Sequence, residues 1–479
     1  MKRAVRWLAL SLLTLSLLAQ AQTLQWRVTS LTYDEAKPIL QAMSEILPVE
    51  LRAVTPSERA SVWPKWVAQR DAEIRARLLQ GDEDSLVNFL LFGTSFTRRP
   101  RVTLQALAQL GRNKDQAPAN PSADAAASLA VVQARADDLA RALAAPGENE
   151  RLLVARRLVE KKGHQPSNRA QVKEYLLAGV ARVLDEQATY AKVLESARLL
   201  GNATEEFIER SKLYRHRGLS SDTSLLPNFA LEQSLATIKA RGLLAPGSVR
   251  RVAIIGPGLD FTDKQDGYDF YPPQTIQPFA IMDTLLRLSL ARLEALQLTT
   301  FDLSPRVNDH LRRAQQRAQR GLSYVVQLPR DPQATWRPEA IAYWASFGDR
   351  IGTSVPPVAV PAGAGEVKVR AVRLRPAIVS LVTPADVNIV LQRLDLPAGA
   401  GFDLIIATNI FVYYDVFEQS LAAANVERML RPGGFLLSNN ALLELPHSRL
   451  HSIGYQTTVY SDRPNDGDHT VWYQRSPSR

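Results

Sequence analysis

The 479-residue chain contains no cysteine, only four methionines and only six histidines. The lack of cysteine excludes disulfides, thiolate zinc sites and a cysteine nucleophile. The histidines (His164, His216, His310, His447, His451, His469) never fall into the helical HExxH spacing of zinc hydrolases, and no metal site is expected. Past the N-terminus there is no apolar run of the roughly 20 residues that a membrane span needs. Internal repeats are also missing. Cations outnumber acids by 58 to 48, but the arginines are scattered over helical stretches, as in Arg312, Arg313, Arg317 and Arg320. Scattered charge belongs to a solvated surface, so nucleic acid is not an expected partner. At 46% hydrophobic and 22% charged residues the chain has an ordinary globular composition, and its length suits two or three domains.

The first 21 residues read as a secretory signal peptide. Lys2, Arg3 and Arg6 precede the apolar stretch from Trp7 to Ala19, and Ala19-Gln20-Ala21 gives a small-x-small cleavage site. The alternative is an uncleaved anchor; either way the positive end stays inside and the remainder is exported, periplasmic or secreted. Cleavage leaves 55 cations against 48 acids and no membrane span.

Residues 22–245 read as a mainly α-helical domain of unassigned role. Ser57–Leu79, Ala125–Ala144 and Glu150–Lys161 are rich in strong helix formers with apolar residues three and four apart. Gln116–Ser122 reads as a linker. Two passages are less generic, Gly81–Thr97 and Tyr214–Asn228. From residue 246 the pattern changes. Short β-rich runs alternate with helical ones, which predicts a largely parallel sheet with crossover helices over 246–479. The expected strands are Arg251–Ile255, Leu298–Leu303, Ala377–Thr383, Phe402–Thr408 and Gly434–Ser438, with a terminal hairpin of Gln456–Tyr460 and Thr470–Gln474.

The chemistry sits at the strand ends. The first strand runs into Gly256-Pro257-Gly258-Leu259-Asp260, where glycine permits a sharp turn and close ligand approach, and Asp260 can accept a hydrogen bond from a ligand amine. The second ends at Asp302, placed to bond two ribose hydroxyls. Gly258 and Asp302 lie 44 residues apart, against about 20 in the dinucleotide fingerprint. The excess is the polar, aromatic stretch Phe261–Gln277, read either as a lid carrying Tyr268, Asp269, Tyr271 and Gln277 or as a plain surface loop. The third strand is followed by Asp386, favoured over Asp395 as an adenine contact because it stands at a strand end. Past the fourth come Asn409, Tyr413 and Tyr414, expected to border the reaction site. Arg217, Ser220, Ser221, Asp222 and Thr223 are placed to fold over the same mouth.

Ile254-Ile-Gly-Pro-Gly258, Asp302, Phe402-Asp-Leu-Ile-Ile406 and Leu430-Arg-Pro-Gly-Gly-Phe-Leu436, in that order, resemble the class I S-adenosylmethionine-dependent methyltransferase family over roughly the last 230 residues. Asn409-Ile-Phe-Val-Tyr-Tyr414 is similar to the matching segment of chemotaxis-receptor methyltransferases. The resemblance implies a Rossmann-like seven-stranded α/β sheet with an antiparallel last strand. It also implies S-adenosylmethionine as cofactor, its methionine part near Gly256 and Gly258, ribose on Asp302 and adenine near Asp386. The long loop after the glycines and the Tyr324–Lys368 insertion depart from the family and leave the substrate, small molecule or protein, open. An exported methyltransferase needs a cofactor made in the cytoplasm. A non-catalytic binding or scaffold protein on the same fold is therefore the second reading. A nicotinamide-dependent oxidoreductase is the third, set back by Phe261 at the third glycine position.

Overall fold

The computed structural model describes residues 26–102, 123–199, 217–262, 267–463 and 466–477. Residues 1–21, read above as a signal peptide, residues 116–122, read as a linker, and residues 214–216 lie outside the described residues.

The sheet is built from strands β2 (Arg251–Ile255), β3 (Gln297–Phe301), β7 (Val382–Ala385), β9 (Phe402–Ala407), β10 (Leu430–Ser438), β11 (Leu450–Val459) and β12 (Gly467–Arg475). Their spatial order is β11-β12-β10-β9-β2-β3-β7. β12 runs antiparallel to β10 and pairs with β11, while β10-β9-β2-β3-β7 are parallel. This is a Rossmann-like sheet of seven strands with an antiparallel last strand. The chain runs outward from β2 through β3 to β7, then returns to β9 on the other side. The strand order therefore reverses between β2 and β9, and a crevice opens there beyond the carboxyl ends of the strands.

Period-two alternation divides the sheet residues between two cores. Val252 and Ile254 face one core with Leu404 and Ile406, against α7 (Leu226–Ala240), α8 (Gln277–Arg287) and α9 (Pro305–Gln319). Ala253 and Ile255 face the other with Ile405 and Ala407, against α1 (Tyr33–Ala42), the first half of α3 (Arg59–Phe92) and α12 (Val416–Met429). All four β2 residues are buried, as expected of a parallel strand covered on both faces. The family-like motifs also meet structurally. Asp403 accepts hydrogen bonds from the backbone N–H of Arg250 (2.7 Å) and Arg251 (2.8 Å) and pairs with Arg431, so it ties the starts of β2, β9 and β10 together.

The third strand differs from the sequence reading. Pro376–Val379 forms a short helix and β7 begins only at Val382. Pro376 occupies the first helical turn, where its fixed φ favours a helix start, and an apolar run this short does not distinguish strand from buried helix. The Tyr324–Lys368 insertion supplies most of a separate antiparallel sheet, β4 (Tyr324–Arg330), β6 (Lys368–Leu374) and β5 (Gly352–Val355) in spatial order, with helix α10 (Pro338–Ser346).

The change of composition near residue 245 does not coincide with a break in packing. β1 (Val28–Ser30) pairs with β8 (Gln392–Leu394), and Trp63, Trp66 and Ile74 of α3 share a core with the sheet. The second half of α3 joins a different core with α4 (Ala123–Ala144), α5 (Glu150–Lys161) and α6 (Arg169–Leu199). Buried Arg135 closes the end of α3, donating to the carbonyls of Leu90 (2.7 Å), Gly93, Arg99 (3.1 Å) and Pro100 (3.0 Å). At the other end of this packing, Asp415 and Glu418 form the capping box of α12, and Glu418 is also ion-paired with Arg70 of α3 at 2.6 Å.

Candidate functional site

The carboxyl ends of β2 and β9 bring together Gly256, Gly258, Thr408 and Asn409. Both glycines have positive φ, +67° and +72°. A Cβ on Gly258 would lie 2.9 Å from Thr223 Cβ and 3.0 Å from the Ser221 carbonyl oxygen, so the turn is closely covered. Asn409 is a non-glycine residue at φ +57°, held there by a reciprocal pair with Asn439: its N–H donates to Asn439 Oδ1 (2.8 Å), and Asn439 Nδ2 donates to Asn409 Oδ1 (2.7 Å). Gln277, the first residue of α8, donates to Thr408 Oγ1 at 2.8 Å on the same wall.

Asp302 follows β3 and completes the floor. Its Oδ1 accepts the Ser304 N–H at 2.8 Å. Burial pushes its carboxyl up to about 7. The Ser304 and Gly258 N–H groups and Arg306 work against this, while Asp386 adds to it.

Ser220, Ser221, Asp222 and Thr223 fold over this mouth, whereas Arg217 borders neither side of it and is ion-paired with Glu186 at 3.8 Å. The Leu259 N–H donates to the Ser221 carbonyl (2.7 Å), the Phe261 N–H to Asp222 Oδ1 (3.1 Å), and Ser85 Oγ to Asp222 Oδ2 (2.7 Å). The crevice is thereby divided. On one side, a cavity of about 40 Å³ is lined by Gly256, Gly258, Gln277, Thr408, Asn409 and Asp302. On the other, a more apolar one of about 50 Å³ is lined by Ile255, Asp302, Leu303, Val387, Ile410 and Tyr414. Ser220 and Ser221 border both.

The other expected residues take different positions. Tyr413 and Tyr414 line the apolar side, away from Gln277 and Asn409. Tyr414 is buried beneath Arg77, and burial raises its phenol. Pro257 is in the glycine turn, its carbonyl accepting from Thr275 Oγ1 at 3.3 Å. Asp260 points out of the crevice. It is buried against Arg151 (3.5 Å) and the Gln274 N–H (2.9 Å), and burial raises its carboxyl to about 6. Asp386 borders neither cavity and is ion-paired with Arg75 of α3 at 2.9 Å. Asp395 stands beside the β1–β8 pair, its N–H on the Arg27 carbonyl (2.8 Å).

Most of the described residues of the loop after the glycines are packed inside rather than lying on the surface. Asp269 is buried, accepting from the Thr94 N–H (2.7 Å), Thr94 Oγ1 (2.8 Å) and the Ser95 N–H (3.0 Å), and Tyr268 and Tyr271 pack on Ala364 of the insertion. Sequence reasoning missed Leu78 and Arg77. Leu78 lines the apolar cavity, and Arg77 donates to the carbonyls of Tyr413 (2.8 Å) and Arg217 (3.0 Å). Both sit on a helix more than a hundred residues before β2, and no local pattern marks them. Among the described residues no group of His, Asp or Glu is arranged to hold a metal ion, and no helix is long and apolar enough to cross a membrane.

No family model and no curated protein matches the chain. Solved structures do. The N-methyltransferase NodS from Bradyrhizobium japonicum WM9 is 16% identical, over 52% of this chain and 97% of that one, with a TM-score of 0.25. Magnesium protoporphyrin IX methyltransferase from Synechocystis PCC 6803, with bound SAM, is 11% identical over 57% and 85%, at 0.24. An O-methyltransferase family protein from Burkholderia thailandensis is 10% identical over 67% and 88%, at 0.23. Likeness at this level carries no argument about activity or substrate.

Proposed function

We propose that the chain is an exported S-adenosylmethionine-dependent methyltransferase. The observation that carries this reading is the meeting of the Gly256–Gly258 turn with Asp302 at the switch point of a Rossmann-like sheet. The residues present suit the cofactor. With the covering Ser220–Thr223 segment moved aside, the glycine turn would take the methionine part, Asp302 would accept from ribose hydroxyls, and Ile255, Leu303, Val387 and Ile410 would give adenine an apolar wall. Bound there, S-adenosylmethionine supplies an electrophilic methyl group. The chain's own part is to orient the acceptor in line and exclude water. Gln277, Thr408 and Asn409 are the polar groups that would orient it. The other carboxylate on that side, Asp222, has both oxygens engaged by Ser85 and the Phe261 N–H. Gln277, Thr408 and Asn409 are not bases, so this wall suits an acceptor that presents its own lone pair.

One observation favours the second reading, a non-catalytic protein on this fold. The Ser220–Ser221 segment leaves cavities of about 40 and 50 Å³, whereas ligand pockets commonly hold about 300–1,000 Å³. Cofactor binding in either case requires that segment to move aside.

Calorimetric titration of the purified chain with S-adenosylmethionine, S-adenosylhomocysteine and NAD, beside an Asp302→Ala variant, separates the readings. Saturable binding of the first two, weakened at least about tenfold by the variant, is expected. Absence of both sinks the methyltransferase reading, and NAD binding alone turns it to an oxidoreductase. Export rests on the N-terminal pattern, and a mature chain starting at Gln22 is its signature.

A further inference from the structure

A cavity far roomier than the two in the crevice stands outside it. It lies between α3, α5 and α9, measures about 720 Å³, and is floored by Leu259 and Phe261 just past the glycine turn. Its volume is that of a small-molecule site. Two independent features mark its chemistry.

The first is apolar. Leu78 and Leu79 of α3 face Leu153 and Val154 of α5 around the floor. Leu153 is 37% exposed, one of few large hydrophobic side chains left open to water among the described residues. The second is charge. Arg157 and Lys161 from α5 and Arg313 from α9 line the same cavity. Among the described residues Arg157 and Arg313 make no ion pair, and Lys161 does no more than attract Asp82 from a distance. The other cations there are engaged: Arg306 with Asp82 at 3.2 Å, Arg75 with Asp71 and Asp386, and Arg151 with the carbonyls of Phe261 and Tyr271 and with Asp260. Of the acids, Asp309 is held by Arg312 at 2.8 Å and Asp82 by Arg306, which leaves Glu150 to oppose three cations.

We propose that this cavity binds a small organic anion with an apolar body, a carboxylate or phosphate monoester on an alkyl chain. The head group meets Arg157, Lys161 and Arg313 at the rim, and the alkyl chain lies along Leu153, Val154 and the Leu259–Phe261 floor. The cations come from two walls of one cavity, α5 and α9, rather than from one extended stripe, which suits a single head group and not a charged polymer. The site does not depend on the methyltransferase reading.

The test is titration of the purified chain with decyl phosphate and decanoate as monomers, with decanol and inorganic phosphate as controls. One alkyl anion or both bind saturably, and binding weakens as salt rises. An R157E/R313E double variant lowers that affinity about tenfold or more. Leu153→Asn, at an exposed position that leaves the fold alone, weakens the alkyl anions several-fold and spares inorganic phosphate. Which alkyl anion binds more tightly assigns the head group. Decanol or inorganic phosphate binding as tightly as decyl phosphate overturns the proposal. So does a double variant that binds normally, or binding to anionic phospholipid vesicles without binding of either monomer.

Discussion

Asp302→Asn is expected to stabilise the protein above neutral pH. The carboxyl is buried at the end of β3, and the cost of burying its charge lifts its pKa from 3.8 to about 7. A raised folded-state value means that the unfolded chain gives up this proton first. Below 3.8 both states keep it and the group contributes nothing. Between 3.8 and about 7 stability falls as pH rises, and above that the loss is constant. At 1.36 kcal/mol per pH unit the full loss is about 4 kcal/mol, as an upper figure. Asparagine removes the charge and keeps an oxygen for the Ser304 N–H. It loses the second acceptor that Gly258 uses, a cost of about 1 kcal/mol. Urea denaturation of both proteins near pH 5 and pH 8 reads the difference. The variant's advantage should be larger by about 2–3 kcal/mol at the higher pH. Equal effects at the two pH values, or a variant less stable at pH 8, refute the reasoning. A residue that costs this much is one kept for another purpose. Ribose hydroxyls bond best to the ionised carboxylate, so S-adenosylmethionine affinity is expected to rise from about pH 6 to pH 8 in the native chain and to stay flat in the variant.

Two further perturbations test the packing that frames the site. Arg70→Met leaves Glu418 buried without its cation and should cost about 3 kcal/mol in urea denaturation, while adding Glu418→Gln should return most of it; no recovery would show that the pair is not the cause. Gly81→Ala would place a Cβ 1.9 Å from the Leu219 carbonyl oxygen. The backbone has to separate there, and faster hydrogen exchange from Leu219 to Ser221 is the expected signature, with unchanged exchange refuting the contact.

What the sequence made legible follows from where each signal is local. β2 and β9 were readable because each holds four consecutive apolar residues, Val252–Ile255 and Leu404–Ala407, bounded by a glycine turn or polar residues, which leaves few alternatives to a strand covered on both faces. Gly256 and Gly258 were placed after β2 and Asp302 after β3, and the structure has them at those strand ends. β7 was misplaced because Pro376 starts a helical turn inside an apolar run, and the two conformations share one composition there. Asp386 was correctly set at a strand end, but its partner Arg75 stands more than three hundred residues away, and no spacing rule reaches that far. The burial of Tyr268, Asp269 and Tyr271 was hidden for the same reason. Their polar, aromatic composition suits a lid, and only Thr94, Ser95 and Ala364, all distant in sequence, turn it into packing.

α3 explains why the helical half matters to the crevice. Its early residues Trp63 and Trp66 belong to the core of the sheet, and its late residues Phe89 and Leu90 belong to the helical core, so one rigid rod fixes both. Where the rod passes the strand ends, the chain before α7 crosses it. A Cβ on Gly218 would lie 2.2 Å from the Gly81 N, so two backbones touch with no side chain between them. Arg77 then holds the crossing from both sides: its carbonyl accepts the Leu219 N–H (3.1 Å) and its guanidinium donates to the Arg217 carbonyl (3.0 Å). That contact sets where Ser220 and Ser221 lie, and these residues divide the crevice between its polar and apolar halves. Access to the glycine turn is therefore governed by a crossing of two glycines in the helical half, outside the segment that carries the nucleotide-like motifs. A ligand that spans both halves must work against this crossing. Its affinity reports the stability of the Gly81–Gly218 contact as much as the bonds it makes to Asp302.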